Sequence, residues 1–249
     1  MNKIKEAALV IFKNKNTHVL TGAGISVDSG IPDFRSAGGI WDRYDPEIYA
    51  HINAFKKDPV KLWDFFKAIS SEFDGAKPNA GHIALAEMEK MGYIHSIATQ
   101  NIDHLHTLAG SQKVYYLHGN NSALVCIKCR RKYDYHQPFQ TKNQIPYCEC
   151  GRVLKPDIIM FGETLPLEIL QKAEKAAATS KVYMVAGTSA VVMPAAMLPH
   201  TAKSYGAVVI EINLEDTPLT HSITDIQLKG STTEILPALS AEIKALAGS

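Results

Sequence analysis

The sequence predicts an α/β fold: a doubly wound parallel sheet with a smaller module formed by two insertions. The sheet is predicted because short apolar runs ending in Gly, Asn or Thr alternate with segments whose apolar residues recur every three or four positions. Strands and helices that alternate in this way form parallel sheets covered on both faces. The module is predicted because two stretches, residues 37–77 and 119–155, break the alternation.

The predicted helices and strands follow one another along most of the chain. An amphipathic helix over residues 2–13 precedes a buried strand at 18–21. Asn79 can cap a helix that runs from 80 to 91 and that Gly92 ends. The remaining predicted elements are a strand at 93–99, a helix at 167–178, a strand at 182–186, a helix at 193–204 broken near Pro199, a strand at 207–214 and a helix at 235–247.

The two insertions define the predicted domains. We call residues 1–36, 78–118 and 156–249 the sheet domain, and residues 37–77 and 119–155 the small module. The first insertion is rich in aromatic residues at helical spacing, and the second holds every cysteine. A chain of 249 residues, 46% of them hydrophobic, is long enough for a large core and a second, smaller one.

Composition favours neither a membrane nor a nucleic-acid partner. The formal net charge of +1 provides no field that would gather polyanions, so such a partner would need a local basic patch. The most apolar stretch, residues 182–199, contains Gly187 and Pro194, which disfavour a membrane-spanning helix. The N-terminal apolar run is too short for a signal sequence, and four cysteines confined to residues 126–150 are no disulfide framework. We therefore expect a cytoplasmic protein.

Polar or glycine-rich clusters follow four of the predicted strands, at residues 22–26, 100–103, 187–189 and 213–215. Ligands of open parallel sheets bind at the carboxyl ends of the strands. The glycines of the first cluster would let the backbone approach a pyrophosphate closely, but the third glycine of the usual dinucleotide spacing is missing. By itself the cluster predicts a tight strand-to-helix turn about as well as a phosphate site.

Six motifs follow one another along the chain: Gly22-Ala23-Gly24-Ile25-Ser26 with Gly30-Ile31-Pro32-Asp33-Phe34-Arg35, Thr99-Gln100-Asn101-Ile102-Asp103-His104-Leu105-His106, Leu117-His118-Gly119, Phe161-Gly162-Glu163, Gly187-Thr188-Ser189 and Asn213-Leu214-Glu215. Together, and in the same order, they resemble the motifs of the sirtuin family of NAD-dependent protein deacylases. The resemblance covers roughly residues 10–240. It implies a Rossmann-like sheet domain that binds NAD and a small module that carries zinc.

The resemblance also implies a reaction and assigns residues to it. In sirtuins the acyl oxygen of an acyl-lysine attacks the NAD ribose as nicotinamide leaves, and a histidine then activates a ribose hydroxyl that takes up the acyl group. The products are free lysine, nicotinamide and acylated ADP-ribose. The matching catalytic residues are His118, the general base, with Asn101 and Asp103.

Most of the remaining site residues are assigned to NAD and a few to the substrate peptide. The NAD-binding set is Gly22, Ala23, Gly24, Ile25, Asp33, Phe34, Arg35, Trp41, Gln100, Asn101, Ile102, Asp103, Gly187, Thr188, Ser189, Asn213, Leu214, Glu215 and Thr232. The substrate set is Phe161, Gly162, Glu163, Val191 and Val192, which would bind an extended acyl-lysine peptide as an added strand. Phe66 and Ile69 stand where a succinyl-preferring relative would have Tyr and Arg, so we expect acetyl or longer apolar acyl groups as substrates.

Without the resemblance, several of these residues have simpler interpretations. A lone histidine such as His118 is usually structural, and residues 100–103 could form an Asx turn. Asp33 and Arg35 could form a surface ion pair, and His104 and His106 are expected to be packing or polar-network residues.

The cysteines form two close pairs, Cys126-x-x-Cys129 and Cys148-x-Cys150. Two such pairs are typical of a ribbon that holds zinc through four thiolates, and four thiolates leave no position open for water, so the metal would be structural. The second pair is one residue shorter than the family's usual spacing. His136 is a conceivable substitute ligand.

Three other functions remain open from the sequence. An ADP-ribosyltransferase would use the same NAD site but leave ADP-ribose on protein. A ribbon that binds nucleic acid could use the basic residues Lys128, Arg130, Arg131 and Lys132. A hydride-transfer dehydrogenase is disfavoured by the incomplete glycine motif.

Overall fold

The protein is described from a computed structural model that covers residues 2–73, 75–135, 140–142 and 145–248. Its α-helices are α1 Lys3–Asn14, α2 Ile40–Arg43, α3 Pro46–Tyr49, α4 Ile52–Lys57, α5 Pro59–Phe73, α6 Ala80–Lys90, α7 Leu105–Leu108, α8 Leu167–Thr179, α9 Met197–Ser204 and α10 Thr232–Gly248. Its strands are β1 Thr17–Thr21, β2 Ile94–Thr99, β3 Val114–Tyr116, β4 Gly119–Cys126, β5 Lys132–Asp134, β6 Gln140–Lys142, β7 Ile145–Tyr147, β8 Leu154–Ile158, β9 Val182–Ala186, β10 Val208–Asn213 and β11 Ile226–Lys229.

The sheet domain is built on six strands in the order β11-β10-β9-β1-β2-β3, and every neighbouring pair is parallel. The predicted doubly wound parallel sheet is thus confirmed. Strand β1 lies between β2 and β9, so the chain leaves it toward one side of the sheet and later returns to the other side. In open α/β sheets, such a reversal of strand order leaves a crevice at the carboxyl ends of the strands.

Apolar residues cover both faces of the sheet because successive side chains of a strand point to opposite faces. In β1, Val19 packs with α1, α6 and α10, whereas its neighbour Leu20 packs with α8 and α9. In β9, Met184 and Tyr183 divide in the same way. The sheet therefore lies between two apolar core layers. These layers fix the positions of the carboxyl ends of β1, β2, β9 and β10.

The predicted elements of the sheet domain differ from the observed ones mainly at two short strands and three helices. The short helix α7, Leu105–Leu108, was not predicted. The short strands β3 and β11 were not predicted, since three or four partly buried residues carry too little periodicity. Helix α9 begins at Met197, four residues later than predicted, and Pro199 lies in its first turn without breaking it, where proline is tolerated. Helix α10 begins three residues earlier, because the Ser231 hydroxyl accepts the Glu234 amide and caps it.

The small module has an apolar cluster of its own. Aromatic and aliphatic residues of α2, α4 and α5 pack against residues of β4, β7 and β8, and the cluster includes the buried Cys126 and Cys148. Strands β5, β4 and β8 form an antiparallel sheet beside it. The two insertions thus share one core, and the domain boundaries given above stay a prediction. Among the described residues, no helix has the length and apolar character needed to cross a membrane.

Candidate active site

The glycine loops after β1 and β9 meet at the point where the strand order reverses. Gly24 donates its amide to the Gly187 carbonyl at 2.8 Å, and a Cβ on Gly24 would lie 2.9 Å from that oxygen. A Cβ on Gly22 would lie 2.6 Å from the Thr188 side chain, and Gly187 itself has a φ of +62°. These glycines are therefore needed for the two loops to approach each other, which adds a structural reason to the phosphate-binding one predicted from the sequence.

Two side chains link the loops that follow β2, β9 and β10. Gln100 donates its side-chain amide to the Thr188 hydroxyl at 2.8 Å, and Asn213 donates to the Thr188 carbonyl at 3.0 Å. The backbone amide of Gln100 also bonds to the Thr21 carbonyl. The carboxyl ends of four parallel strands are thus held together as one unit around Thr188.

Asn101 and Asp103 are both held by Ser26. The Asn101 amide donates to the Ser26 hydroxyl and to the Gly22 carbonyl, both at 3.1 Å. The Ser26 hydroxyl in turn donates to the Asp103 carboxylate at 2.7 Å. Asn101 is 5% exposed, so its orientation is fixed by these partners rather than by water. The Asx turn considered from the sequence is also present, because Asp103 Oδ1 accepts the Leu105 amide at 3.0 Å, and the bonds to Ser26 are made in addition to it.

His118 lies beside Gln100 with a defined hydrogen-bond role. Its Nδ1 lies 2.9 Å from the Gln100 carbonyl oxygen, which can only accept, so Nδ1 carries the proton in the neutral ring. Nε2 is then left with a lone pair. Burial lowers the pKa of His118 below its ordinary value, and the bond to the Gln100 carbonyl opposes that shift. A neutral imidazole with a free Nε2 can accept a proton near neutral pH.

One cavity of about 1220 Å³ joins these groups, and it exceeds the usual size of a pocket for a single small ligand. It is lined by every residue assigned above to NAD, catalysis or substrate except Ile25, which is fully buried in the sheet-domain core. The cavity continues into the small module between Phe66, Ile69 and Phe73. It therefore has a polar end at the strand termini and an apolar arm among the helices.

The comparisons with known proteins agree with this geometry. The model of the Sir2 family matches residues 22–194. An NAD-dependent protein deacylase of Thermococcus sibiricus is 42% identical over 97% of this chain and 96% of its own length. The chain belongs to the Sir2 family. The family, also called the sirtuins, is the one that the sequence motifs indicated.

Solved Sir2 structures have the same fold over nearly the whole chain. A Sir2 homologue in complex with NAD is 40% identical, with a TM-score of 0.89 over 97% of this chain and 94% of that one. A Sir2 protein bound to a myristoylated histone peptide is 37% identical, with a TM-score of 0.82 over 99% of this chain and 98% of that one. The predicted fold class and family are both confirmed.

The cysteines of this Sir2 chain converge although the second pair is short. The Cys126 and Cys150 sulfurs lie 3.5 Å apart, those of Cys129 and Cys148 lie 3.6 Å apart, and all four lie within 4.8 Å of one another. A tetrahedral zinc ion with Zn–S bonds of about 2.3 Å places its sulfurs about 3.8 Å apart, whereas a disulfide requires about 2.05 Å. The set fits a four-thiolate zinc site. His136 lies outside the described residues.

Glu163 lines the cavity, and its Oε2 atom is bound by two groups of the protein. It bonds to the ammonium group of Lys155 and to the Met160 amide, each at 3.0 Å. Lys155 is 1% exposed and also donates to the Ile158 carbonyl. The pair fixes the segment that carries Phe161, whose backbone pairs with residues 50–52 of the small module. The structure thus gives Glu163 a role in shaping the predicted substrate loop.

Asp33 and Phe34 lie on the loop before α2, Trp41 lies in α2, and all three line the cavity. The Asp33 carboxylate accepts the amides of Arg35 and Ser36 and the Ser36 hydroxyl, so it holds the loop instead of forming the ion pair considered above. Burial raises the pKa of Asp33, but the bonds from Ser36 and Arg35 outweigh it and the net shift is downward. The Phe34 ring lies 5.1 Å from that of Trp41.

A buried polar network lies behind the cavity; His106 belongs to it, as the sequence interpretation allowed, but the parts played by His82 and Ser26 were missed. The Ser26 hydroxyl lies 3.5 Å from His82 Nε2, and the His82 ring contacts that of His106, which bonds to the Thr21 hydroxyl at 2.8 Å. Burial lowers the pKa of His82 to about 4, against the opposing charge of Asp103. The available signal was a histidine among the buried residues of α6, where only apolar side chains are expected.

Proposed function

We propose that this NAD-dependent protein deacylase binds NAD along the carboxyl ends of β1, β2, β9 and β10 and uses His118 as its general base. NAD, when bound, supplies the ribose carbon that receives the acyl oxygen as nicotinamide leaves. The observation that carries the proposal is the His118 geometry: Nδ1 lies 2.9 Å from the Gln100 carbonyl oxygen, so in the neutral ring the free lone pair is on Nε2, and the residue lines the cavity.

The other residues bind and orient in this proposal. Asn101 and Asp103, held by Ser26, would position the nicotinamide end and its ribose. Gly22 to Gly24 and Gly187 to Ser189 would bind the phosphates, and Asn213, Glu215 and Thr232 the adenosine end. Phe34 would exclude water from the reacting carbon, since hydrolysis of NAD would otherwise compete.

The apolar arm of the cavity favours neutral acyl groups. Phe66, Ile69 and Phe73 line it, and both Phe66 and Ile69 are at most 8% exposed. A carboxylate buried there would lose its hydration; these three side chains are apolar, and the neighbouring Ser70 hydroxyl offers one hydrogen-bond donor but no positive charge to compensate. Acetyl and longer apolar acyl groups are therefore the proposed substrates, and succinyl groups are disfavoured.

The proposed binding partners are inferred from the basic residues near the cysteines, and the proposed cellular location from the free cysteines. Three of the four basic residues around the zinc site are already paired: Arg130 with Glu163, Arg131 with Glu149 and Lys132 with Asp157. A face whose cations are paired attracts phosphate weakly, so acyl-lysine proteins or peptides rather than nucleic acid are the proposed partners. Free cysteines arranged for zinc favour a reducing compartment, the cytoplasm.

The test is incubation of the purified protein with NAD and peptides that carry acetyl-, myristoyl- or succinyl-lysine. Nicotinamide release and the masses of the products would be followed together. We expect free lysine and acyl-ADP-ribose from the first two peptides and little turnover of the third. ADP-ribose attached to protein would instead indicate a transferase, and reduced NAD without nicotinamide release a dehydrogenase. Faster turnover of the succinyl peptide than of the acetyl peptide would refute the acyl preference.

A further inference from the structure

Glu211 is a charged side chain in the middle of a buried parallel strand. It is 0% exposed, it lies in β10, and among the described parts of the chain it forms no ion pair. Burying a carboxylate is costly unless its oxygens are fully hydrogen-bonded. A buried carboxylate without a cationic partner therefore indicates that its hydrogen bonds hold a particular part of the structure in place.

Four side chains converge on the Glu211 carboxylate. Thr217 donates its hydroxyl to Oε1 at 2.5 Å, and the Asn213 amide donates to the same oxygen at 3.4 Å. Thr220 and Thr224 donate their hydroxyls to Oε2 at 2.8 and 2.7 Å. All four partners lie between residues 213 and 224, so one carboxylate organises the whole connection from β10 toward β11.

The hydroxyl groups have a fixed direction. Thr217 Oγ1 accepts the Leu219 amide at 3.1 Å, and Thr220 Oγ1 accepts the Thr217 amide at 2.9 Å. Each hydroxyl therefore has its single proton left to donate to Glu211. An ionised carboxylate accepts at both oxygens, which suits this arrangement, whereas an amide in its place would turn a donor toward one of the hydroxyl groups.

The segment that Glu211 holds forms the adenosine end of the cavity. Residues 213–218 line the cavity, and Asn213, besides its bond to Glu211, donates to the Thr188 carbonyl in the loop after β9. Glu211 itself does not line the cavity. It can act on a ligand there only through the loop.

We propose that Glu211 is a positioning residue that sets the loop at residues 213–218 for the adenosine half of NAD. The inference rests on the proposed function, which places the adenosine ribose at Asn213 and Glu215. If this is so, weakening the hydrogen bonds to Glu211 reduces the affinity for ligands that contain adenosine. The chemistry at His118 and the binding of the peptide stay unchanged.

The test measures the Kd of ADP-ribose, the KM of NAD, the KM of the acetyl-lysine peptide and kcat for E211Q. Loss of hydrogen bonds to a charged group is expected to raise the Kd of ADP-ribose and the KM of NAD about tenfold. The kcat at saturating NAD and the KM of the peptide should stay within about twofold, since neither depends on the loop.

Val209→Ala is the matched control, because Val209 lies on the same face of the same strand and packs in the apolar core but donates no hydrogen bond to the Glu211 carboxylate. It should lower stability and leave the Kd of ADP-ribose unchanged. If E211Q does not fold, Thr224→Val and Thr224→Ser decide: Thr224→Val removes one donor and should raise the Kd about threefold, and Thr224→Ser keeps the hydroxyl and should match the wild type.

The outcomes separate this inference from the proposed function. An E211Q protein that binds ADP-ribose as tightly as the wild type would overturn the role of Glu211 alone. Equal losses of affinity in E211Q and Val209→Ala would reduce Glu211 to a general stabilising residue and also overturn it. A wild-type protein that fails to bind ADP-ribose, or a Glu215→Gln variant that binds it normally, would instead contradict the proposed placement of NAD.

Discussion

The sheet domain and the small module bury their apolar residues in different ways. The sheet domain has two core layers on the two faces of six parallel strands. The small module has one cluster, in which aromatic side chains of α5 pack on a ribbon whose cysteines converge on one point. We therefore expect the first region to be stable from burial alone and the second to gain stability from a metal bound by its cysteines.

The two regions also have different proposed roles in the candidate site. The hydrogen-bonded residues that would bind NAD and accept the proton lie at the rigid edge of the sheet, and the apolar arm that would receive the acyl chain lies in the small module. Changes at the sheet edge should therefore alter kcat or NAD affinity. Changes in the small module should alter acyl selectivity and local stability.

The largest expected effect is that of His118→Ala on kcat. Removing a general base typically costs a factor of about 10² to 10⁴, and we expect at least about a hundredfold loss of deacylation with little change in the melting temperature. Steady-state kinetics and a thermal melt measure both. His200→Ala, in helix α9 away from the cavity, is the control. Substantial turnover by His118→Ala would displace His118 from the role of base.

Zinc removal should affect the two regions unequally. We expect a chelator, or Cys129→Ser, to abolish amide-exchange protection in β4, β5 and β8 while β1, β2 and β9 stay protected, since structural zinc provides folding energy to its own module. Glu149→Ser, which changes the exposed residue between two of the cysteines, is the matched control and should keep its zinc and its protection. Uniform loss of protection across both regions would contradict the division.

Acyl selectivity should respond to the width of the apolar arm. Ile69→Trp would fill the arm, and we expect kcat/KM for a myristoyl-lysine peptide to fall about tenfold while the value for acetyl-lysine changes less than twofold. Val60→Trp introduces the same side chain at an exposed position of the same helix and should leave both values unchanged. Equal decreases in kcat/KM for both peptides would show that the arm does not accommodate the acyl chain.

A smaller effect concerns pH and arises at the opposite end of the sheet. Burial, together with the charges of His95 and Lys113, lowers the pKa of His18 to about 4 from an ordinary value near 6.5. The unfolded chain therefore binds this proton at higher pH than the folded one, so stability is fully present above pH 6.5 and declines as the pH falls toward 4.

For His18 alone, the expected loss between pH 7 and pH 5 is about 2 kcal/mol in the free energy of unfolding. Urea denaturation of the wild type and of His18→Asn across this range would measure it, and the variant should have the shallower pH dependence. His221→Asn, at an exposed position, should behave as the wild type does. Identical slopes in the wild type and His18→Asn would refute the assignment.

Features that depend on neighbouring residues could be predicted from the sequence, whereas contacts between distant residues could not. Periodicity located the long helices and buried strands, and the residues after β1, β2, β9 and β10 identified the site edge. The edge strands β3 and β11 were too short to give a periodic pattern. The bonds that Ser26 makes to Asn101 and Asp103 join residues more than seventy positions apart, so no local pattern could reveal them.

In the proposed reaction, NAD bound at the sheet edge loses nicotinamide to the acyl-lysine, and His118 then takes a proton from a ribose hydroxyl. Exchange of labelled nicotinamide into NAD in the presence of acetyl-lysine peptide reports the first event, and free lysine reports the second. We expect His118→Ala to lose deacylation by at least about a hundredfold while exchange falls much less. Equal loss of exchange and deacylation, or retention of both, would contradict it.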